Sequence, residues 1–238
     1  MNEAASSAVG LGQATAMMRE AFAIWEGARC GETGEHPAIS ISQAFGPAVC
    51  DSAQYNLHAG NANLIIFRDH EWAYSESDHE LAATWVTVDR TGTIVDADIE
   101  INATEPLYVP ADEDAGVGLG VIANQRDLMS ILVHEAGHFL GLDHSRAAES
   151  VMQPALQVGE FRSALSEDDE AAICAAYPPD AASGACDYTP NGGFASECTQ
   201  SVDSGCSSQR QGRTGATTLA MFGFMLGGLT VARRRRRR

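Results

Sequence analysis

The run Leu132 to Pro154, LVHEAGHFLGLDHSRAAESVMQP, constrains this chain more than any other part of it. If Asn124 to Leu142 forms one helix, His134 and His138 stand four residues apart and project from the same face, near enough for both imidazoles to reach one ion. Glu135 sits beside the first of them. Gly141 permits a backbone reversal that few other residues tolerate, and His144 can then return as a third nitrogen. A fold that hosts this run must bring a helix, a glycine turn and a returning segment to one point.

Three neutral imidazoles with a fourth position left open suit catalytic zinc, which takes tetrahedral nitrogen or sulfur ligands and keeps the last place for water. Glu135 is then a carboxylate near the metal that does not ligate tightly, a general base able to take a proton from the attacking water and pass it to the leaving amine. HExxH alone arises by chance on many helices, whereas the full HExxHxxGxxH spacing is far more specific. Histidines packed into an ordinary helix are the bland alternative, and they leave the third histidine and the glycine without a reason.

The rest of the chain reads as mixed secondary structure. Ala14 to Arg29 carries Met18, Phe22 and Trp25 on one helical stripe, flanked by Met17, Ala21, Ile24 and Ala28, and predicts an amphipathic helix packed on a sheet. Strands are expected at 38–45, 63–68, 81–89 and 94–102, the last two joined by a hairpin at Arg90-Thr91-Gly92-Thr93. In the last strand Asp96, Asp98 and Glu100 alternate with Ala97, Ile99 and Ile101, which predicts one wet, acidic face near a sheet edge. The zinc helix is expected to start near Asn124. A final helix follows Ser166, with acids in its first turn at the positive end of the dipole, and ends at Pro178-Pro179.

Charge narrows the partners. The chain has no lysine, and residues 1–205 hold seven arginines against all 32 acids, a net charge of −25. Such a body repels nucleic acid, which is excluded as a partner. The six cysteines show no zinc-ribbon spacing and fit disulfides formed outside the cytosol. No basic segment followed by an apolar run opens the chain, so either the true start lies further upstream and the amino terminus is truncated, or the export reading is wrong.

HEAGHFLGLDHS followed by SVMQP resembles the metzincin metallopeptidases, in which a methionine turn lies beneath the zinc; Met152 holds that place. Pro154 stands where astacins and serralysins show a tyrosine, so the resemblance is to the matrixin, or matrix metalloproteinase, branch, and it extends over about residues 14–178. It implies an α+β fold of zincin type: a twisted, mostly parallel sheet with an antiparallel edge strand, the zinc helix, the methionine turn and a C-terminal helix. It also implies a zinc-dependent endopeptidase acting on extracellular proteins or peptides, with His134, His138 and His144 as ligands and Glu135 as base. The residue after the scissile bond would lie against the loop after Met152. Calcium is a further expected cofactor, with no site traceable to particular residues; His58, His70 and His79 are read as exposed loop histidines. The departures are the lack of a first strand before Ala14 and of a propeptide cysteine motif. A disulfide between Cys30 and Cys50 is the favoured pairing. The alternative function is a catalytically inactive, zinc-stabilised surface adhesin or binding domain.

Three parts are therefore expected: a catalytic domain at 1–179, a cysteine-containing linker at 180–205 and a tail at 206–238. Within the tail, 216–232 is free of charge and precedes six arginines, long enough for about 25 Å of helix and oriented with the arginines inside. Gly205-Cys206-Ser207, the apolar span and the arginine cluster together resemble the C-terminal sorting signals found in myxobacteria. That resemblance implies a membrane sorting protease as partner, cleavage near Cys206, transient membrane anchoring and display at the cell surface; plain membrane anchoring is the alternative.

Overall fold

The stripe read over Ala14 to Arg29 forms helix α1, Leu11–Glu26, which buries Met17, Met18, Ala21, Phe22 and Trp25. The computed structural model describes residues 1–43, 46–74, 80–109, 125–181 and 192–198. Strands β1 (Ile65–Arg68), β2 (Ala82–Val88) and β3 (Ile94–Asn102) form a sheet in the order β1-β3-β2. β1 runs parallel to β3 with Ile65 opposite Ile99, and β2 runs antiparallel to β3 with Thr84 opposite Ile99. β4 (Leu107–Tyr108) and β5 (Arg126–Asp127) pair in parallel apart from it. Helices α2 (Leu128–Phe139) and α3 (Glu167–Ala176) complete the order. β2 is the expected antiparallel edge strand, while the three-stranded sheet is mixed rather than mostly parallel among the described residues.

Period-two alternation sorts the strand residues between two cores. Ile65 and Phe67 of β1 join Ile99 and Ile101 of β3 against α1 and α2, where Phe22, Trp25, Leu128, Leu132 and Ala136 meet them. Leu64 and Ile66 face the other way, into a smaller cluster with Ala48 and Cys50. Fully buried Trp25 ties α1 to α2, its indole Nε1 donating to the Val133 carbonyl at 2.8 Å.

Four expectations are corrected. β3 is the centre of its sheet, not an edge, and Asp96, Asp98 and Glu100 are buried, not wet. The acids are retained because they fasten what covers that face. Asp98 accepts the backbone N–H groups of Leu64 at 2.7 Å and Gln54 at 2.9 Å, and Glu100 pairs with Arg68 and accepts the Trp85 indole N–H at 3.0 Å. Residues 38–43 form no strand, because their backbone donors go elsewhere: Ala38 to the Tyr177 carbonyl and Ile41 to the Glu26 carboxylate. Cys30 pairs with Cys174 and Cys50 with Cys198. The end of α1 lies on α3, with the Arg29 N–H donating to Glu170, whereas Cys50 belongs to the smaller cluster, so chain proximity misleads. Finally, α2 begins at Leu128, one turn after Asn124.

The chain divides into two units, Met1–Val202 and Asp203–Arg238, and the second lies wholly outside the described residues. Within the first unit, residues 192–198 are stapled to the rest by the Cys50–Cys198 disulfide, an Asn61–Phe194 bridge and a Val49 N–H to Ser196 carbonyl bond of 2.8 Å. Among the described residues no helix is long and apolar enough to cross a membrane; the expected span 216–232 falls outside them.

Asp96 differs from its neighbours in that its Oδ1 is buried with no hydrogen-bond partner among the described residues. Burial and the nearby Asp98 push its pKa up to about 7, and burial pushes that of Asp98 to about 6. A carboxyl whose folded pKa is raised binds a proton more tightly folded than unfolded, so its contribution is present at low pH and lost as pH rises towards the folded value. Asp96→Asn should therefore raise the melting temperature more at pH 8 than at pH 5. Thermal melts at the two pH values test this, and an equal shift at both would remove Asp96 as the titrating group.

Candidate metal centre

α2 starts where Asp127 caps it, accepting the Ser130 N–H at 2.9 Å. It stops at Gly141, whose φ of 89° suits glycine and allows two closing bonds: Gly141 N–H to the His138 carbonyl at 2.8 Å and Leu142 N–H to the Gly137 carbonyl at 3.0 Å. The reversal that ends the helix also orients a side chain, because His138 Nδ1 lies 2.8 Å from the Leu142 carbonyl oxygen. His134 Nδ1 likewise lies 2.7 Å from the carbonyl oxygen of Val151. A carbonyl can only accept, so each Nδ1 carries the proton and each Nε2 keeps its lone pair for a metal.

The structure brings His134, His138 and His144 together, with one nitrogen of each within 4.8 Å of the others. The Nε2 atoms of His138 and His144 are 3.2 Å apart. For nitrogen ligands at zinc distances the edge of a tetrahedron is about 3.3 Å, which the His138–His144 pair meets, and the three-histidine cluster is compatible with that ion. Burial lowers the pKa of His134 to about 4 against the opposing pull of the Val151 carbonyl, and burial also lowers that of His138. Both imidazoles are thereby kept neutral, the ligating form. His58 and His70 are exposed and join no such group among the described residues; His79, Cys186 and Cys206 lie outside them.

Glu135 is 5% exposed and sits between the histidines and β2, where Thr84 Oγ1 donates to its Oε2 at 2.5 Å. Burial raises its pKa to about 7, opposed by the Thr84 hydroxyl and assisted by the charge of Glu80. The carboxylate, the histidines and one face of β2 line a cleft of about 1460 Å³.

Met152 is buried, with its sulfur against Gly137 of α2. Its turn is fixed by α3: Asp169 accepts the Ser150 hydroxyl at 2.5 Å and the Val151 N–H at 3.0 Å while also capping its own helix through Ser166. Burial favours the protonated form of Asp169, but these hydrogen bonds outweigh it and hold the pKa below the ordinary carboxylate range. Since Val151 also orients His134, the chain of contacts runs from α3 through the turn to the histidine cluster. Sequence reading passed over Asp169, Thr84 and Gly137. Only the acid-rich start of α3 offered a signal, and it pointed to helix capping alone.

A family model described as Matrixin matches residues 46–178. The chain is similar to Metalloendoproteinase 5-MMP of Arabidopsis thaliana, 37% identical over 73 residues that make up 28% of this chain and 20% of that protein. It is also similar to Metalloendoproteinase 2-MMP of the same plant, 38% identical over 69 residues, 29% of this chain and 18% of that protein. The matched part is thus about a fifth of the length of these relatives.

Gly137 makes the approach of Met152 possible. A Cβ there would meet the Met152 sulfur and lie 2.8 Å from the ring of Trp25. Replacing a helical glycine by alanine normally gains about 1 kcal/mol. Overpacking a filled core costs about 1–3 kcal/mol, and a fully buried indole leaves little room to yield. The steric cost wins, and Gly137→Ala should lower stability by a net of about 1 kcal/mol, seen as a lower urea midpoint at unchanged slope. An unchanged or higher midpoint would mean that Met152 does not depend on the missing side chain.

Proposed function

The chain belongs to the matrixin family, and on that premise we propose that it is a zinc-dependent endopeptidase, with His134, His138 and His144 holding the metal and Glu135 acting as general base. The observation that carries this reading is the convergence of three imidazoles beside a buried carboxylate, two of them with Nδ1 held by a backbone carbonyl so that Nε2 keeps its lone pair. Bound zinc would supply Lewis acidity to the scissile carbonyl and to the attacking water. Thr84 engages Oε2 of Glu135, and Oε1 is the oxygen assigned to take the proton of that water and deliver it to the leaving amine.

The substrate is read as an extended peptide. β2 pairs with β3 on one side, and among the described residues its other edge is unpaired and borders the cleft through Ala83, Thr84 and Val86. A peptide adding to that edge would exchange backbone hydrogen bonds with β2 and lay its scissile bond over the histidines. An intact Glu135 favours hydrolysis over the reading as an inactive zinc-stabilised adhesin. Two disulfides in the first unit fit a working place outside the cytosol. The tail, 206–238, is assigned as a sorting signal with its apolar span at 216–232, cleaved near Cys206 by a membrane protease.

Casein hydrolysis abolished by a chelator and restored by zinc tests the activity. Glu135→Gln should keep stoichiometric zinc yet lose at least about a hundredfold in turnover, whereas alanine at His134, His138 or His144 should release most of the metal. Unchanged turnover in Glu135→Gln would refute the base. Mass spectrometry of the surface-exposed protein tests the tail: a carboxyl terminus near residue 206 supports sorting, and an intact terminus at Arg238 refutes it.

A further inference from the structure

Two guanidinium groups, Arg126 and Arg162, line the cleft beside His134. They are placed in different ways. Arg162 is engaged by protein on every side: it pairs with Glu160, and its Nη1 reaches the carbonyls of Ser150 at 3.5 Å and Ala155 at 3.4 Å. Its backbone N–H donates to the hydroxyl of Ser130 on α2 at 2.6 Å, so it pins the segment 153–162 to the helix that carries the histidines. Arg126 makes one side-chain hydrogen bond, from Nη1 to the Leu156 carbonyl at 2.5 Å, and no carboxylate pairs with it among the described residues. A half-buried cation with most of its five donors unspent among the described residues therefore lines the cleft, held in place by the wall of the pocket.

We propose that Arg126 makes this an endopeptidase selective for a glutamate or aspartate next to the scissile bond, the acidic side chain seating between Arg126 and segment 153–162. The inference rests on the endopeptidase reading above and deepens it. A carboxylate matches the planar fork of a guanidinium in a way that an amide or an apolar side chain does not. The acids that also line the cleft, Glu80, Glu135 and Asp143, belong to the β2 rim, the metal site and the His144 turn, not to segment 153–162. Residues 1–205 carry a net charge of −25, which works against densely acidic substrates. The matching substrate is thus a neutral or basic stretch carrying a single acid at the cleavage point.

The experiment uses the zinc-loaded chain and four peptides identical except for Glu, Gln, Leu or Lys at that position, with the cleaved bond located by mass spectrometry. For the wild type, kcat/KM for Glu should exceed that for Gln by about tenfold, the usual gap between a charge-assisted and a neutral hydrogen bond. The ratio should fall to about one in Arg126→Met, persist in part in Arg126→Lys, and shrink in the wild type as salt rises from about 0.05 to 0.5 M. The salt series gives the answer even if an Arg126 variant does not fold. A preference for Leu over Glu, or a Glu to Gln ratio indifferent to both salt and Arg126, overturns the proposal. Calorimetric binding of the same peptides to zinc-loaded Glu135→Gln reads the preference without hydrolysis. If wild-type protein cleaves nothing while that variant still favours Glu, the endopeptidase reading fails and the acid-selective pocket stands.

Discussion

The contact between Met152 and the glycine face of α2 is the constraint on which the rest of the site depends. At Gly137 the helix has no side chain, so the thioether and the Trp25 ring close directly on its backbone. From that contact the turn holds the Val151 carbonyl against His134, and the hydrogen bonds of Asp169 hold the turn on α3. An imidazole that must meet an ion within a few tenths of an ångström needs support of this kind, because a rotamer free to swing spends most of its time elsewhere. The apolar cluster of Trp25, Leu128, Leu132 and Ala136 sets the helix in place, while the polar contacts around the turn determine where its histidines aim.

Electrostatics divides the molecule in a similar way. Carboxylates are spread over the surface, yet most of the buried ones hold a neighbouring element in place. Asp98 and Glu100 fasten the cover of the sheet, Asp127 and Asp169 cap helices, and Glu135 faces the cleft. Asp96, with its orphan oxygen, stands outside this scheme and costs stability as it ionises. The cleft is polarised in turn, acids on the β2 rim and the His144 turn facing arginines by segment 153–162. A body that repels anions at long range can still attract one carboxylate at close range, because a half-buried guanidinium acts over a few ångströms while the diffuse surface charge is screened.

Local regularities were legible in the sequence. The stripe Met18, Phe22, Trp25 marked α1, the β-branched run marked β3 to its observed ends, and the i, i+4 histidines with Gly141 marked a helix, its stop and a convergence of three side chains. Each of these depends on contacts within a dozen residues, where helical and strand periods dictate which side chains share a face. Alternation also misled: Asp96, Asp98 and Glu100 had the period of a wet face, but partners from Gln54, Leu64 and Arg68 make it a covered one.

By itself, then, the sequence determined the helices, the principal strands and the set of residues able to hold a metal, because period and chemical type are local properties of the chain. Tertiary structure alone decided which strand lies at the centre, that Cys30 meets Cys174 and Cys50 meets Cys198 across separations of 144 and 148 residues, and that Gly137 and Asp169 serve the methionine turn. It also decided that Arg126 lines the cleft with donors to spare among the described residues. The physical reason is the same in each case: such contacts join residues far apart in the chain, and which of them meet depends on how the helices and the sheet pack, which no local pattern encodes.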